Sequence, residues 1–179
     1  PHLNTDGTIS LIHNGIIENY LELKSQYLGD YNFISETDTE VIVALIDYWC
    51  KKDNLNIHDS VKKTTALLKG TWALVIISRL EPNKMWLTRN GSPLLLSTTE
   101  SSAFVVSESL CFTQSSNNKY IVLDDNSLIE VSFTDGIINL NIDVSKHIVK
   151  TKSEQFHELS PEPYSHWMIK EILEQDKSS

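Results

Sequence analysis

Cysteine is scarce in this chain: Cys50 and Cys111 are the only two among 179 residues. Two isolated thiols exclude a disulfide framework, so a reducing compartment, the cytoplasm, is the expectation. Positive charge is scarce too. Lys and Arg total 15 against 24 Asp and Glu, a formal net charge of −9. The adjacent basic pairs Lys51-Lys52 and Lys62-Lys63 read as solvated helix faces. Nucleic acid and anionic membrane surfaces, which need clustered cations, are therefore not expected as partners. The longest apolar runs, Val41–Ile46 and Ala73–Ile77, fall far short of the roughly 20 residues that span a bilayer. The opening residues lack the pattern of a secretory signal. His2, His13, His58, His147, His157 and His166 have no zinc-ligand spacing, and glycine-rich phosphate loops are missing, so no metal and no cofactor is expected.

What is present describes a globular domain: 40% hydrophobic and 22% charged residues, in a chain long enough to bury a real core. Thr8–His13 alternates as a strand, and Asn14-Gly15 reads as the turn that closes it. A helix is expected over Glu18–Leu28, ended by Gly29, then a short strand over Asn32–Ser35. Thr37 to Glu40 has the spacing of a capping box, opening a helix over Thr39–Cys50. Another helix is expected over Asp59–Lys69 with Gly70 as its stop.

Thr71–Ser78 is a near-continuous apolar run, which predicts a strand buried on both faces. Further strands are expected at Met85–Arg89, Pro93–Ser97 and Ala103–Ser107, with a turn at Asn90-Gly91 and a short helix over Glu108–Thr113. Tyr120–Leu123, Ser127–Phe133 and Ile137–Ile142 have the spacing of a meander. Thr151–Pro163 reads as a linker, and Ser165–Gln175 as a last helix. Helices early and antiparallel strands late predict an α+β fold.

Two short motifs can carry chemistry. In His13-Asn14-Gly15, an asparagine amide and a glycine N–H can act as preorganised donors to a developing oxyanion. The same dipeptide is also a common tight turn. In Ser35-Glu36-Thr37-Asp38-Thr39-Glu40, a carboxylate at a helix start can hold a substrate ammonium, or can simply cap the helix. Cys50 and Cys111 lie in apolar stretches with no neighbouring cation and read as small buried hydrophobes.

Together, His13-Asn14-Gly15-Ile16-Ile17-Glu18-Asn19-Tyr20 and Ser35–Ile42 resemble the glutaminase domain of class II glutamine amidotransferases. Within that class the similarity is greatest to the glutamine–fructose-6-phosphate aminotransferase family. Leu68-Lys69-Gly70-Thr71-Trp72-Ala73, Arg89-Asn90-Gly91-Ser92-Pro93-Leu94, Val106-Ser107-Glu108-Ser109 and His166–Gln175 continue the match in order, across essentially the whole chain. The resemblance implies a four-layer α-β-β-α sandwich of the N-terminal-nucleophile hydrolase type, incomplete at the N-terminus. It implies residues 1–150 as the later two thirds of the amidotransferase domain. Residues 151–179 would be a linker and helix leading toward a sugar-phosphate isomerase half. Asn14 and Gly15 match the oxyanion-hole positions, and Asp38 the carboxylate that holds the glutamine α-amino group. His2 matches a position read as structural.

The implied activity is hydrolysis of glutamine to supply ammonia for glucosamine 6-phosphate synthesis, with glutamine and the isomerase half as partners and a homo-oligomer when full length. The family's nucleophile is an N-terminal cysteine whose own amine is the base. Pro1 cannot replace it. The 179-residue chain by itself is therefore expected to release no ammonia from glutamine. Two alternatives stand beside the enzyme: a non-catalytic module that binds glutamine or a subunit, and another amidotransferase of the same class. The joint presence of Asn14, Gly15 and Asp38 favours the enzyme over the module. The Ser35–Glu40 and His166–Gln175 segments fit other members of the class poorly.

Overall fold

The computed structural model describes residues 1–112, 119–144, 148–151 and 162–174. Two antiparallel sheets lie at its centre. Sheet I runs in the order β1 (His2–Leu3), β2 (Ile9–Ile17), β3 (Gly70–Ser78), β4 (Lys84–Asn90), β8 (Leu128–Thr134) and β9 (Ile137–Leu140). Sheet II runs β10 (Ile148–Thr151), β7 (Lys119–Val122), β5 (Leu95–Thr98) and β6 (Ala103–Val106). The helices are α1 (Tyr20–Tyr27), α2 (Asp38–Lys52), α3 (Ile57–Thr65) and α4 (Trp167–Glu174). No helix among the described residues is long and apolar enough to cross a membrane.

Alternation along the strands sorts side chains into two cores. Ile9, Leu11, Ile17, Leu74, Ile76 and Trp86 leave one face of sheet I and pack with Val41, Ile42, Leu45 and Ile46 of α2 and with Ile57 and Val61 of α3. Ala73, Leu87, Ile129 and Val131 leave the other face and meet Leu94, Leu96, Ile121 and Leu123 from sheet II and the chain next to it. β3 thus serves both cores, which is why Thr71–Ser78 reads as unbroken hydrophobicity. Among the described residues, α1–α3, sheet I and sheet II follow one another as layers of an α+β sandwich.

Several local expectations are corrected. Asn14-Gly15 is no turn: β2 continues to Ile17, with Asn14 opposite Ala73, Gly15 opposite Trp72 and Ile16 opposite Thr71. No strand forms at Asn32–Ser35, because the amides of Ile34 and Ser35 donate to the Glu40 carboxylate at 2.9 and 2.7 Å rather than to a neighbouring strand. The same bonds dissolve the capping box. Thr37 makes no side-chain cap, and Glu40 faces back to Ile34 and Ser35 instead of closing on Thr37.

α3 starts earlier than expected, at Ile57, where Asn56 Oδ1 accepts from the Asp59 amide at 2.8 Å. Gly70 opens β3 instead of ending a helix. The meander is split, since β7 belongs to sheet II while β8 and β9 pair in sheet I. Where a short helix is expected over Glu108–Thr113, Ser109–Cys111 forms a 3₁₀ turn, and Thr113 lies outside the described residues. Cys111 is exposed, against expectation, because Phe112 takes the buried place beside it. Most of the stretch expected as a linker, residues 152–161, lies outside the described residues.

Candidate functional site

The motifs scattered along the sequence converge where β2 and β3 end. Gly15 has φ +139°, and a Cβ built there would lie 2.2 Å from the Thr71 carbonyl oxygen. Across the pair, Gly70 has φ +119°, and its Cβ would lie 2.2 Å from the Ile16 carbonyl oxygen. The two strands approach so closely here that neither position admits a side chain. Surrounding polar groups fix the crossing. Asn90 Nδ2 donates to the Gly70 carbonyl at 2.9 Å. Asn19 accepts from the Lys69 amide at 2.9 Å and donates to the Leu67 carbonyl at 3.0 Å. Asp125 Oδ1 takes the Gly91 amide at 3.0 Å and pairs with the Arg89 guanidinium at 2.9 Å. Asn19, Arg89 and Asn90 are therefore scaffold for the strand end.

Asp38 reaches this end from the first turn of α2. Its Oδ2 accepts from the Ile17 amide at 2.7 Å, while among the described residues Oδ1 has only the Thr39 hydroxyl, at 3.4 Å. N–H groups two residues apart on a strand face the same edge. The Gly15 amide therefore shares the edge on which Ile17 donates to Asp38. β1 pairs with β2 no further than Leu11, so beyond that residue this edge faces no described strand. Asp38 and the Gly15 amide thus come together on one open strand edge. The Asn14 side chain leaves the adjoining face, toward sheet II. It is exposed and lines a cavity of about 160 Å³ with Ile12, Val75, Leu94, Val106 and Ser107. A larger cavity, of about 560 Å³, lies between Tyr27, Tyr31, Tyr48 and Lys51 and contains none of Asn14, Gly15 or Asp38.

Three residues named in the sequence reading, His13 in the motif, Glu40 in a capping box and His2 as structural, make contacts at this site that the reading did not anticipate. His13 Nδ1 lies 3.0 Å from Thr39 Oγ1. Burial pushes the His13 imidazole below its ordinary value, against the charge of Asp38 and the Thr71 carbonyl, which raise it. Glu40, 1% exposed, holds the loop before Asp38 through the Ile34 and Ser35 amides and the Ser35 hydroxyl, the last at 2.5 Å. Burial alone would raise its pKa; the Ser35 hydroxyl and the two amides overcome that and hold it below the usual carboxylate value. His2 joins the same loop, with Nε2 3.3 Å from Thr37 Oγ1. The periodicity of α2 gave no sign of these contacts, since each is made to a distant strand or an irregular loop.

Neither cysteine belongs to the site. Cys50 is half-buried near the far end of α2, about 18 Å along the helix from Asp38 by the usual rise per residue. Its Sγ lies 3.2 Å from Ser60 Oγ, and burial pushes the thiol pKa up. Cys111 closes the 3₁₀ turn after β6.

Residues 1–114 match the family model described as a glutamine amidotransferase domain. The glutamine–fructose-6-phosphate aminotransferase (isomerizing) of Staphylococcus epidermidis is 36% identical over 175 residues, which covers 98% of this chain and 29% of that protein. The enzyme of the same name from Geobacillus kaustophilus is 35% identical over 175 residues, with the same coverage. The chain thus spans less than a third of the length of these curated relatives. Among solved structures, the glutamine phosphoribosylpyrophosphate amidotransferase of B. subtilis superposes with a TM-score of 0.55 over 76% of this chain and 31% of that one, at 21% identity. The sandwich fold is shared with that protein, and it is the fold that the sequence resemblance implied.

Proposed function

This chain belongs to the glutamine amidotransferase domain family, and we propose that it holds glutamine for hydrolysis of the side-chain amide to ammonia. Asp38 anchors the α-ammonium with Oδ1, the oxygen that the Ile17 amide leaves free. Gly15 N–H, one pleat back along the edge, and the Asn14 amide stabilise the oxyanion that forms when the amide carbon is attacked. Two residues of strand separate the Ile17 and Gly15 amides by about 7 Å, a span that glutamine's extended side chain and its hydrogen bonds fill. The nucleophile is neither Cys50 nor Cys111. The similarity to glutamine–fructose-6-phosphate aminotransferases supports the finer reading. In it, ammonia passes to a sugar-phosphate half of the same protein and aminates fructose 6-phosphate to glucosamine 6-phosphate.

The observation that carries the reading is the Asp38 carboxylate, fixed by one oxygen on the edge shared with Gly15. Asp38→Asn keeps the Ile17 contact but removes the charge. A charge-assisted bond is worth about 1.5–3 kcal/mol, so glutamine should bind roughly 10- to 100-fold more weakly. Calorimetric titration of the complete gene product with glutamine checks this. Unchanged glutamine affinity in Asp38→Asn would sink the assignment.

A further inference from the structure

Asp38 is held directly by Ile17, but a second chain of contacts reaches its other oxygen. Thr39 Oγ1 lies 3.4 Å from Asp38 Oδ1 as a donor and 3.0 Å from His13 Nδ1. A hydroxyl has one proton. If Thr39 gives it to Asp38, the oxygen must accept from His13, which requires the imidazole proton on Nδ1. In the opposite tautomer, Thr39 turns its proton to His13 and Asp38 loses the contact. His13 Nε2 is buried with no partner of hydrogen-bonding geometry among the described residues. A buried N–H without an acceptor costs more than a bare ring nitrogen, so the contact chain to Asp38 calls for the proton on Nδ1, with the Thr71 carbonyl as the competing acceptor for the ring. The charged groups facing the ring are Asp38 on α2 and His2 on β1.

We infer that His13 is a positioning residue for the substrate's ammonium anchor, orienting the Asp38 carboxylate through the Thr39 hydroxyl. The inference rests on the reading of Asp38 given above. It couples the anchor on α2 to the strand that also carries Asn14 and Gly15, so the two ends of a bound glutamine are referenced to one rigid element. Ile17 fixes Oδ2, and the His13–Thr39 chain sets the rotation of the carboxylate about that bond. Oδ1 then faces the open edge without being free to swing toward solvent.

The test uses the complete gene product with Thr39→Val, which keeps the shape and removes the hydroxyl, and Thr39→Ser, which keeps the hydroxyl. The probes are glutamine and 4-carbamoylbutanoate, the same molecule without its α-amine. Thr39→Val is expected to bind glutamine about five- to tenfold more weakly, the worth of one hydrogen bond. It should bind 4-carbamoylbutanoate as the parent does, and Thr39→Ser should restore glutamine binding. Imidazole ¹⁵N shifts should show the His13 proton on Nδ1 in the parent.

Equal weakening of both ligands, an Nε2-protonated His13, or unchanged glutamine binding by Thr39→Val overturns the inference. Asp38→Asn separates the two levels. If it weakens glutamine while Thr39→Val does not, only the positioning role falls. If it changes nothing, the anchor falls and this role with it.

Discussion

Gly15→Ala is expected to destabilise the fold by about 4 kcal/mol, combining left-handed backbone strain with overpacking. The added methyl would stand 2.2 Å from the Thr71 carbonyl oxygen and 2.9 Å from Trp72 Cα. Both are backbone atoms of a strand paired on each side, so no side chain can swing away to relieve the overlap. β2 and β3 are in register from Ile9 opposite Ser78 to Ile17 opposite Gly70, and the clash falls at the site end of that ladder. Relief would require the strands to part there, which would also withdraw the Ile17 amide from Asp38. At about 2–4 °C per kcal/mol for a chain of this size, the midpoint should fall by roughly 10 °C. Thermal unfolding followed by circular dichroism measures it. A shift under a few degrees would mean that β2 and β3 can part at Gly15 at little cost.

That same glycine shows where the sequence stopped being legible. Asn14-Gly15 has the composition of a turn, and nothing local distinguishes a turn glycine from one required by the approach of Thr71. Only pairing with a strand far along the chain decides it. Glu40 presents the same difficulty. Three residues after Thr37 it satisfies a capping-box pattern, yet its donors are Ile34 and Ser35, in a loop with no periodicity of its own. By contrast, the unbroken apolar run of β3 was legible because burial on both faces is a property of the segment itself. Likewise, α2 was legible because Val41–Ile46 faces helices and sheet together. At the site, the residue types Asn14, Gly15 and Asp38 could be picked out from the motifs. Their support by Ile17, His13 and Thr39 could not, since backbone donors and hydroxyl contacts leave no mark in composition.

Glu40→Ala is expected to cost about 3 kcal/mol at neutral pH, because it leaves two amides and a hydroxyl without their acceptor. The carboxylate also sits in the first turn of α2, where the helix dipole favours a negative charge. Its pKa is held below the ordinary value in the fold, so the unfolded chain takes up the proton first as pH falls. The stabilisation is therefore complete above the ordinary glutamate value of 4.5 and is lost as pH drops through the lower folded value. His13 acts in a different window. Its folded pKa is also depressed, so the unfolded chain gains that proton first and stability declines once pH falls below 6.5. Urea unfolding at a series of pH values separates the two. Glu40→Gln should flatten the acid limb below about pH 4.5 and leave the step that starts near 6.5 in place. An acid limb unchanged by Glu40→Gln would mean that the Ile34–Thr37 loop is held by something other than this carboxylate. In that case the entry angle of Asp38 into α2 would have to be set by Ile17 and Thr39 alone.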